Sequence, residues 1–139
     1  MELEIVLASH GKFASGILSS LNLLYGKTDN VQALDCYTDK KFDLQKEVKR
    51  VIDGNTKTNL LVVTDIFGGS VNNEFLKYIH MPNYYLVSGM NLPFLLELMT
   101  KQGEETNIDD LITSVLEEAK ESIQFCNKSF ENVGKEEDF

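Results

Sequence analysis

Three segments of the chain combine residues that could carry out chemistry, and each follows a predicted strand. His10 and Gly11 follow the first apolar run, and Asp65 to Ser70 (Asp-Ile-Phe-Gly-Gly-Ser) follow the third. A third turn, Gly89 to Pro93, follows the fourth run. Imidazole is a good phosphoryl acceptor near neutral pH because its neutral form has a free lone pair. These residue types therefore indicate a histidine that accepts a phosphoryl group and passes it on.

The segments around His10 supply groups that such a reaction needs. Asp65 could accept a proton from one imidazole nitrogen, which fixes the tautomer and leaves the other nitrogen nucleophilic. The alternatives are that His10 is a structural histidine and that Asp65 caps the next helix. Backbone N–H groups of glycine-rich turns, together with a hydroxyl, can bind an anion. The phosphate-binding candidates are Gly11, Gly68, Gly69 and Ser70.

Two apolar residues near these turns are candidates for contact with a docking partner. Phe67 is expected on or near the surface, and the turn that contains Met90 is expected to form one wall of the cleft around His10. Ordinary loop packing is the alternative for Phe67. Helix capping by Asn91, with Pro93 in the first turn, is sufficient to explain the second segment.

The hydrophobic pattern predicts an α/β fold. Strand-like runs at 5–8, 31–37, 60–64 and 84–87 alternate with amphipathic helices, and Asn107 is a plausible cap for a fifth helix. This alternation predicts a doubly wound, mostly parallel sheet with flanking helices, in which the first and third strands are neighbours. His10 and Asp65 would then meet at one edge. Residues 122–126 alternate in polarity, so a short terminal strand is also expected.

Composition excludes several classes of function. The chain has 139 residues with 42% apolar, which fits one domain with one core. We expect this domain to cover residues 1–130, followed by an acidic, disordered tail at 131–139. The net charge of −9 and the lack of a basic patch exclude nucleic acid as a partner and disfavour anionic membranes. A protein with a basic face would be a compatible partner.

The remaining sequence signals predict a cytoplasmic protein without cofactors. No apolar run reaches the roughly 18 residues of a membrane span, and the acidic start lacks the basic region of a signal peptide. Cys36 and Cys126 are too few for a disulfide framework, and Cys36 is expected in the core. No phosphate-binding P-loop, dinucleotide fingerprint, nucleophile elbow or His/Cys metal cluster is present in the sequence.

Taken together, Ala8–Gly11, Asp65–Ser70 and Gly89–Pro93 resemble the IIA component of the mannose/fructose/sorbose class of the bacterial sugar phosphotransferase system (PTS). The likeness extends from Met1 to about Lys128, with the motifs in the same order and spacing. It implies that His10 takes a phosphoryl group from the carrier protein HPr. The group then passes to a histidine of the IIB component, which phosphorylates sugar entering through the membrane components IIC and IID.

The resemblance also implies roles and an assembly. Asp65 would orient the His10 ring, Ser70 would help to hold the phosphate, and IIB would be a separate chain. Family members are homodimers in which a C-terminal strand, here residues 122–126, crosses to the partner's sheet. The chain departs from the family at Val71, where proline is frequent, and at Ala8-Ser9, where Gly-Thr is frequent.

Three other functions are compatible with parts of this pattern. The phosphotransfer subunit of dihydroxyacetone kinase has the same fold and a histidine in this place, although the second and third motifs favour the sugar transporter family. A response-regulator-like domain would be phosphorylated on Asp65, but it should have an acidic pair where this chain has Ser9 and His10. A non-catalytic flavodoxin-like binding domain would need a phosphate loop, which the sequence does not offer.

Overall fold

The computed structural model describes residues 2–104 and 107–131, so the expected acidic tail lies outside the described residues except for Glu131. In the described part of the chain, no helix is both long enough and apolar enough to cross a membrane. The elements are β1 (Leu3–His10), α1 (Phe13–Tyr25), β2 (Val31–Cys36), α2 (Leu44–Asp53), β3 (Asn59–Thr64), α3 (Ser70–Leu76), β4 (Tyr84–Ser88), α4 (Leu92–Lys101), α5 (Ile108–Ala119) and α6 (Cys126–Ser129).

The four strands form one parallel sheet in the order β2-β1-β3-β4. The predicted parallel α/β architecture is therefore confirmed, and so is the predicted contact between the first and third strands. β1 pairs with β3 through Ala8 and Thr64, and with β2 through His10 and Cys36. Because all strands run the same way, the carboxyl ends of β2, β1 and β3 lie side by side.

Helices cover both faces of the sheet. Ile5 and Leu7 face a core that also contains residues of α1, α4 and α5, whereas Val6 and Ala8 face a second core with residues of α2 and α3. Successive side chains of a strand point to opposite faces, so a strand that is covered on both sides is apolar throughout. This burial explains the continuous apolar run of β1 and confirms the doubly wound arrangement.

Helix starts are fixed by polar side chains. Asn91 accepts a hydrogen bond from the Phe94 N–H at 2.9 Å, and Asn107 accepts one from the Asp110 N–H at 3.2 Å, as predicted for caps of α4 and α5. The start of α1 has no such cap at Lys12. Instead, the buried Ser9 hydroxyl in β1 accepts from the Ala14 N–H at 2.7 Å, which ties α1 to the strand that carries His10.

The expected terminal strand at 122–126 does not form in the single chain. Residues 122–125 have no regular structure and lead into the short helix α6. Ile123 is 92% exposed and Phe125 is 66% exposed, because no strand of the same chain lies beside them to cover them. β4 is an edge strand, so one side of its backbone is free of sheet partners within the described chain.

Candidate active site

The structure brings His10 and Asp65 into direct contact at the carboxyl edge of the sheet. His10 is the last residue of β1, and Asp65 comes directly after β3. The Nδ1 atom of His10 lies 2.8 Å from Oδ2 of Asp65, and the backbone N–H of His10 donates to the same oxygen at 2.8 Å. The imidazole side chain is 43% exposed and the carboxylate only 13%. The ring is therefore fixed by the protein on one side and accessible on another.

Asp65 is an ionised acceptor in this arrangement. Partial burial raises the pKa of the Asp65 carboxyl, but hydrogen bonds from the backbone and the ring of His10 outweigh it, so the net pKa lies below the ordinary value. An ionised carboxylate can only accept hydrogen bonds, so Nδ1 of His10 carries a proton. In the neutral ring the lone pair is then on Nε2.

Asp65 does not cap the following helix. Its second oxygen accepts a hydrogen bond from the Ile66 N–H at 3.0 Å, and the residue in the cap position of α3 is Gly69. The alternative in which Asp65 is only a helix cap is therefore not supported by the structure.

Ser70 lies on the other side of the imidazole ring. Its hydroxyl oxygen is 3.3 Å from Nε2 of His10. Gly69 makes this approach sterically feasible, because a Cβ atom at this position would lie 3.3 Å from Cε1 of His10 and 2.8 Å from Cγ2 of Ile66. Gly68 has a φ of 83°, a left-handed conformation that glycine adopts at little cost. The Asp65–Ser70 segment thus contacts both nitrogens of the ring.

Two of the predicted anion-binding glycines have their N–H groups engaged within the protein. The Gly11 N–H donates to the Cys36 carbonyl at 2.8 Å, which continues the pairing of β1 with β2. The Gly69 N–H donates to the Ile66 carbonyl at 3.3 Å within the turn. The expectation that these two groups point at an anion is therefore wrong in this conformation. Gly11, with a φ of 61°, serves to turn the chain after His10.

The two predicted docking residues have different environments. Phe67 is 81% exposed, which agrees with its expected surface position. Met90 is only 6% exposed and packs in the core, so the expectation that it contacts a partner is wrong for its side chain. The reason is that the Gly89 and Met90 N–H groups both donate to the Thr64 carbonyl, at 3.0 and 2.9 Å, which draws this turn against the end of β3.

Tyr37 belongs to the site, although sequence reasoning did not identify it. Its hydroxyl oxygen is 2.9 Å from the Ser70 hydroxyl oxygen, and its ring centroid is 5.5 Å from that of His10 at an interplanar angle of 32°. The sequence placed Tyr37 inside the second strand, whereas β2 ends at Cys36. A usable signal was present in the strand order. β2 is parallel to β1, so a residue that follows β2 lies at the same edge of the sheet as His10.

Cys36 lies beside His10 in the sheet but takes no part in the open site. The thiol is fully buried, and burial together with the nearby Asp65 carboxylate raises its pKa to about 12. A thiol in this state is a poor nucleophile, because the thiolate is the reactive form. Its predicted place in the core is confirmed.

The fold and site define an α/β protein with a carboxylate-bound histidine at the carboxyl edge of a parallel sheet. Residues 4–116 match the family model described as PTS system fructose IIA component, and this range includes all three motifs. The chain therefore belongs to this family of PTS IIA components.

Individual relatives agree with this assignment. The PTS system mannose-specific EIIAB component of Escherichia coli K12 is 24% identical over 127 residues, which are 89% of this chain and 39% of that protein. A crystal structure of a sugar PTS protein from Klebsiella pneumoniae is 40% identical, covers 94% of this chain and 95% of its own, and has a TM-score of 0.90. The EIIA of Streptococcus agalactiae, at 24% identity, covers 91% and 99% and shares the fold with a TM-score of 0.81.

Proposed function

We propose that the chain is a phosphocarrier of the bacterial sugar phosphotransferase system, with a phosphoryl-carrying domain at residues 1–130. It accepts a phosphoryl group from phospho-HPr on His10 and passes it to a IIB component in the cytoplasm. The observation that carries this proposal is the contact of Nδ1 of His10 with the Asp65 carboxylate at 2.8 Å, in a ring that stays 43% exposed.

The chemistry follows from this geometry. With the proton on Nδ1, the lone pair of Nε2 attacks phosphorus, and a new N–P bond forms. The bond between phosphorus and the donor atom of phospho-HPr breaks, and its electron pair stays on the donor. The His10 ring then carries a positive charge, which the Asp65 carboxylate balances through the Nδ1–H hydrogen bond. In the second transfer, a side chain of IIB attacks phosphorus and forms a new bond to it. The N–P bond breaks, and its electron pair returns to Nε2 of His10.

Ser70 and the turn before it supply the contacts for the transferred group. The Ser70 hydroxyl, 3.3 Å from Nε2, is close enough to donate to a phosphoryl oxygen attached there. Gly69 allows the turn to approach the ring, because a Cβ atom there would lie 3.3 Å from Cε1 of His10. The engagement of both Asp65 oxygens by N–H groups also supports His10 rather than Asp65 as the phosphoryl acceptor.

Exposed apolar side chains near His10 support a docking role for this edge of the sheet. A soluble protein exposes large apolar residues together mainly where it meets a partner. HPr and IIB would use this surface in turn, and the membrane components IIC and IID would contact IIB. The exposed residues are Phe13 (47%), Tyr37 (49%), Ile66 (57%) and Phe67 (81%).

The assembly in this proposal is a homodimer. The free edge of β4 and the exposed side chains of Ile123 and Phe125 support an arrangement in which residues 122–126 pair with the sheet of a second copy. Such pairing would cover backbone groups that an edge strand otherwise leaves open.

The proposal is tested by incubating the protein with phosphoenolpyruvate, enzyme I and HPr, followed by intact-mass measurement. Wild type should gain one phosphoryl group that is labile in acid and stable in base, as expected for phosphohistidine. His10→Ala should gain none, whereas His80→Ala, which changes the other, exposed histidine, should behave as wild type. Uptake by His10→Ala equal to that of wild type would show that the acceptor is another residue.

A further inference from the structure

Tyr37 has an unusual backbone conformation for a large aromatic residue. Its φ is 65°, in the left-handed region that costs free energy for any residue with a Cβ atom. It lies directly after β2, so this conformation turns the side chain toward the end of β1. The ring is held there by His10 on one side and by Phe42, at a centroid distance of 5.3 Å, on another.

The hydrogen bonds around His10 form a chain with a fixed direction. In the neutral ring, with the proton of Nδ1 donated to the Asp65 carboxylate, the lone pair of Nε2 accepts from the Ser70 hydroxyl. A serine hydroxyl has a single proton, which this contact uses. The Tyr37 hydroxyl, 2.9 Å from Oγ of Ser70, must therefore be the donor to Ser70.

We propose that Tyr37 is a positioning residue of the phosphoryl-transfer site, which holds the Ser70 hydroxyl in place beside Nε2 of His10. The inference rests on the proposed function. Without a donor at Tyr37, the Ser70 side chain can rotate about its Cα–Cβ bond, because Ser70 is exposed to solvent. When Tyr37 donates to Ser70, the proton of the Ser70 hydroxyl points toward the position that phosphorus takes when it bonds to Nε2.

Tyr37 acts at both stages of the reaction. Before transfer it keeps the Ser70 hydroxyl beside the nucleophilic nitrogen, and the hydrogen bond from Ser70 to Nε2 breaks when the Nε2 lone pair attacks phosphorus. After transfer the Ser70 proton moves its hydrogen bond to a phosphoryl oxygen, while the Tyr37–Ser70 bond stays in place. The ring of Tyr37 also shields one side of the imidazole, which leaves fewer directions from which water can reach the N–P bond.

The first test measures the rate of phosphoryl transfer to the protein at several concentrations of phospho-HPr. Tyr37→Phe keeps the ring and removes the hydroxyl. It should lower kcat about five- to tenfold, the effect of one ordinary hydrogen bond, and leave KM unchanged because the docking surface is kept. The matched control is Tyr25→Phe, which removes a hydroxyl bonded to the Met99 carbonyl at the far end of α1 and should have wild-type kinetics.

A double-mutant cycle separates positioning from general loss of stability. In a Ser70→Ala background, Tyr37→Phe should cause no further loss of kcat, because the hydroxyl that it positions is already absent. Equal multiplicative losses in both backgrounds would show that Tyr37 acts independently of Ser70 and would overturn the inference.

The third test examines the free protein, in which no transfer occurs. The ¹⁵N chemical shift of Nε2 in His10 should move toward the value of a nitrogen without a hydrogen bond in Tyr37→Phe, and not in Tyr25→Phe. Wild-type kcat together with an unchanged shift in Tyr37→Phe overturns the inference and leaves the proposed function intact. A wild-type protein that takes up no phosphoryl group overturns both.

Discussion

At the scale of single residues, the main feature is that one oxygen of Asp65 holds both the backbone and the ring of His10. The two donors are 2.8 Å from Oδ2, so the carboxylate fixes the ring relative to the end of its own strand. A side chain that is held in this way loses little freedom when a phosphoryl donor arrives. The geometry is therefore largely organised before a partner binds.

Asp65→Asn should lower the rate of phosphoryl uptake by roughly 10²- to 10⁴-fold. An amide keeps the size of the side chain but has no charge to balance the phosphorylated ring, and its NH₂ group can favour the wrong tautomer. Rapid-quench kinetics with phospho-HPr would give the rate. Asp29→Asn is a suitable control, because Asp29 is exposed before β2, at the opposite edge of the sheet. A rate for Asp65→Asn within twofold of that control would contradict the assigned role.

The Asp65 carboxylate should also make the free energy of unfolding depend on pH. The pKa of Asp65 is lower in the folded chain than its ordinary value, so the group stabilises the fold above the unfolded pKa. This contribution should be lost as the pH falls through the folded pKa, below about pH 4. Urea unfolding of wild type and Asp65→Asn between pH 2 and 6 measures it. The difference in unfolding free energy should shrink toward low pH; a constant difference would count against this prediction.

At the scale of secondary structure elements, the end of β3 joins three parts of the site. Thr64 is fully buried, and its hydroxyl donates to the Asn72 side-chain oxygen in α3 at 2.7 Å. Its carbonyl accepts the Gly89 and Met90 N–H groups at 3.0 and 2.9 Å. The position of α3, and with it the position of Ser70, depends on this residue, which comes just before Asp65.

Thr64→Val should destabilise the protein by about 1–3 kcal/mol. Valine has nearly the same shape but leaves the Asn72 oxygen, in a side chain that is 2% exposed, without its donor. Equilibrium unfolding in urea measures the change. The control, Thr100→Val, alters an exposed threonine in α4 and should change stability by less than about 0.5 kcal/mol. Equal effects of the two substitutions would show that the buried hydrogen bond adds nothing.

The elements also show how far sequence reasoning extends. The burial of β1 and β3 follows from their apolar runs, and their pairing in a parallel sheet brings His10 and Asp65 together. Tyr37 was missed because its place beside His10 depends on the exact end of β2. The Gly11 N–H was misjudged because its bond to the Cys36 carbonyl depends on strand register. Such details follow from tertiary geometry and are not encoded in a local pattern of residue types.

At the scale of the whole molecule, the chain leaves apolar groups uncovered after α5. Ile123 and Phe125 are mostly exposed, and a cavity of about 330 Å³ is lined by residues from β4, α4, α5 and this segment. A second copy of the chain would cover both the edge of β4 and these side chains.

Deletion of residues 122–139 should convert the expected homodimer into a monomer, because it removes the segment that would pair with the second sheet. Sedimentation velocity at several protein concentrations gives the molecular mass. Deletion of residues 132–139 alone is the control and should leave the dimer intact. A wild-type monomer, or a dimer that persists without residues 122–139, would refute the proposed arrangement.

The burial of Cys36 has a practical consequence for following motions of this protein. Cys126 is exposed and should react with an alkylating reagent at once, whereas the Cys36 thiol is fully buried with a pKa raised to about 12. Modification of Cys36 therefore requires the core between the sheet and helices α2 and α3 to open locally. The slow phase of alkylation would report how often that region opens, without any introduced label, and its rate with and without a bound phosphoryl group would reveal whether the modification rigidifies the neighbouring strands.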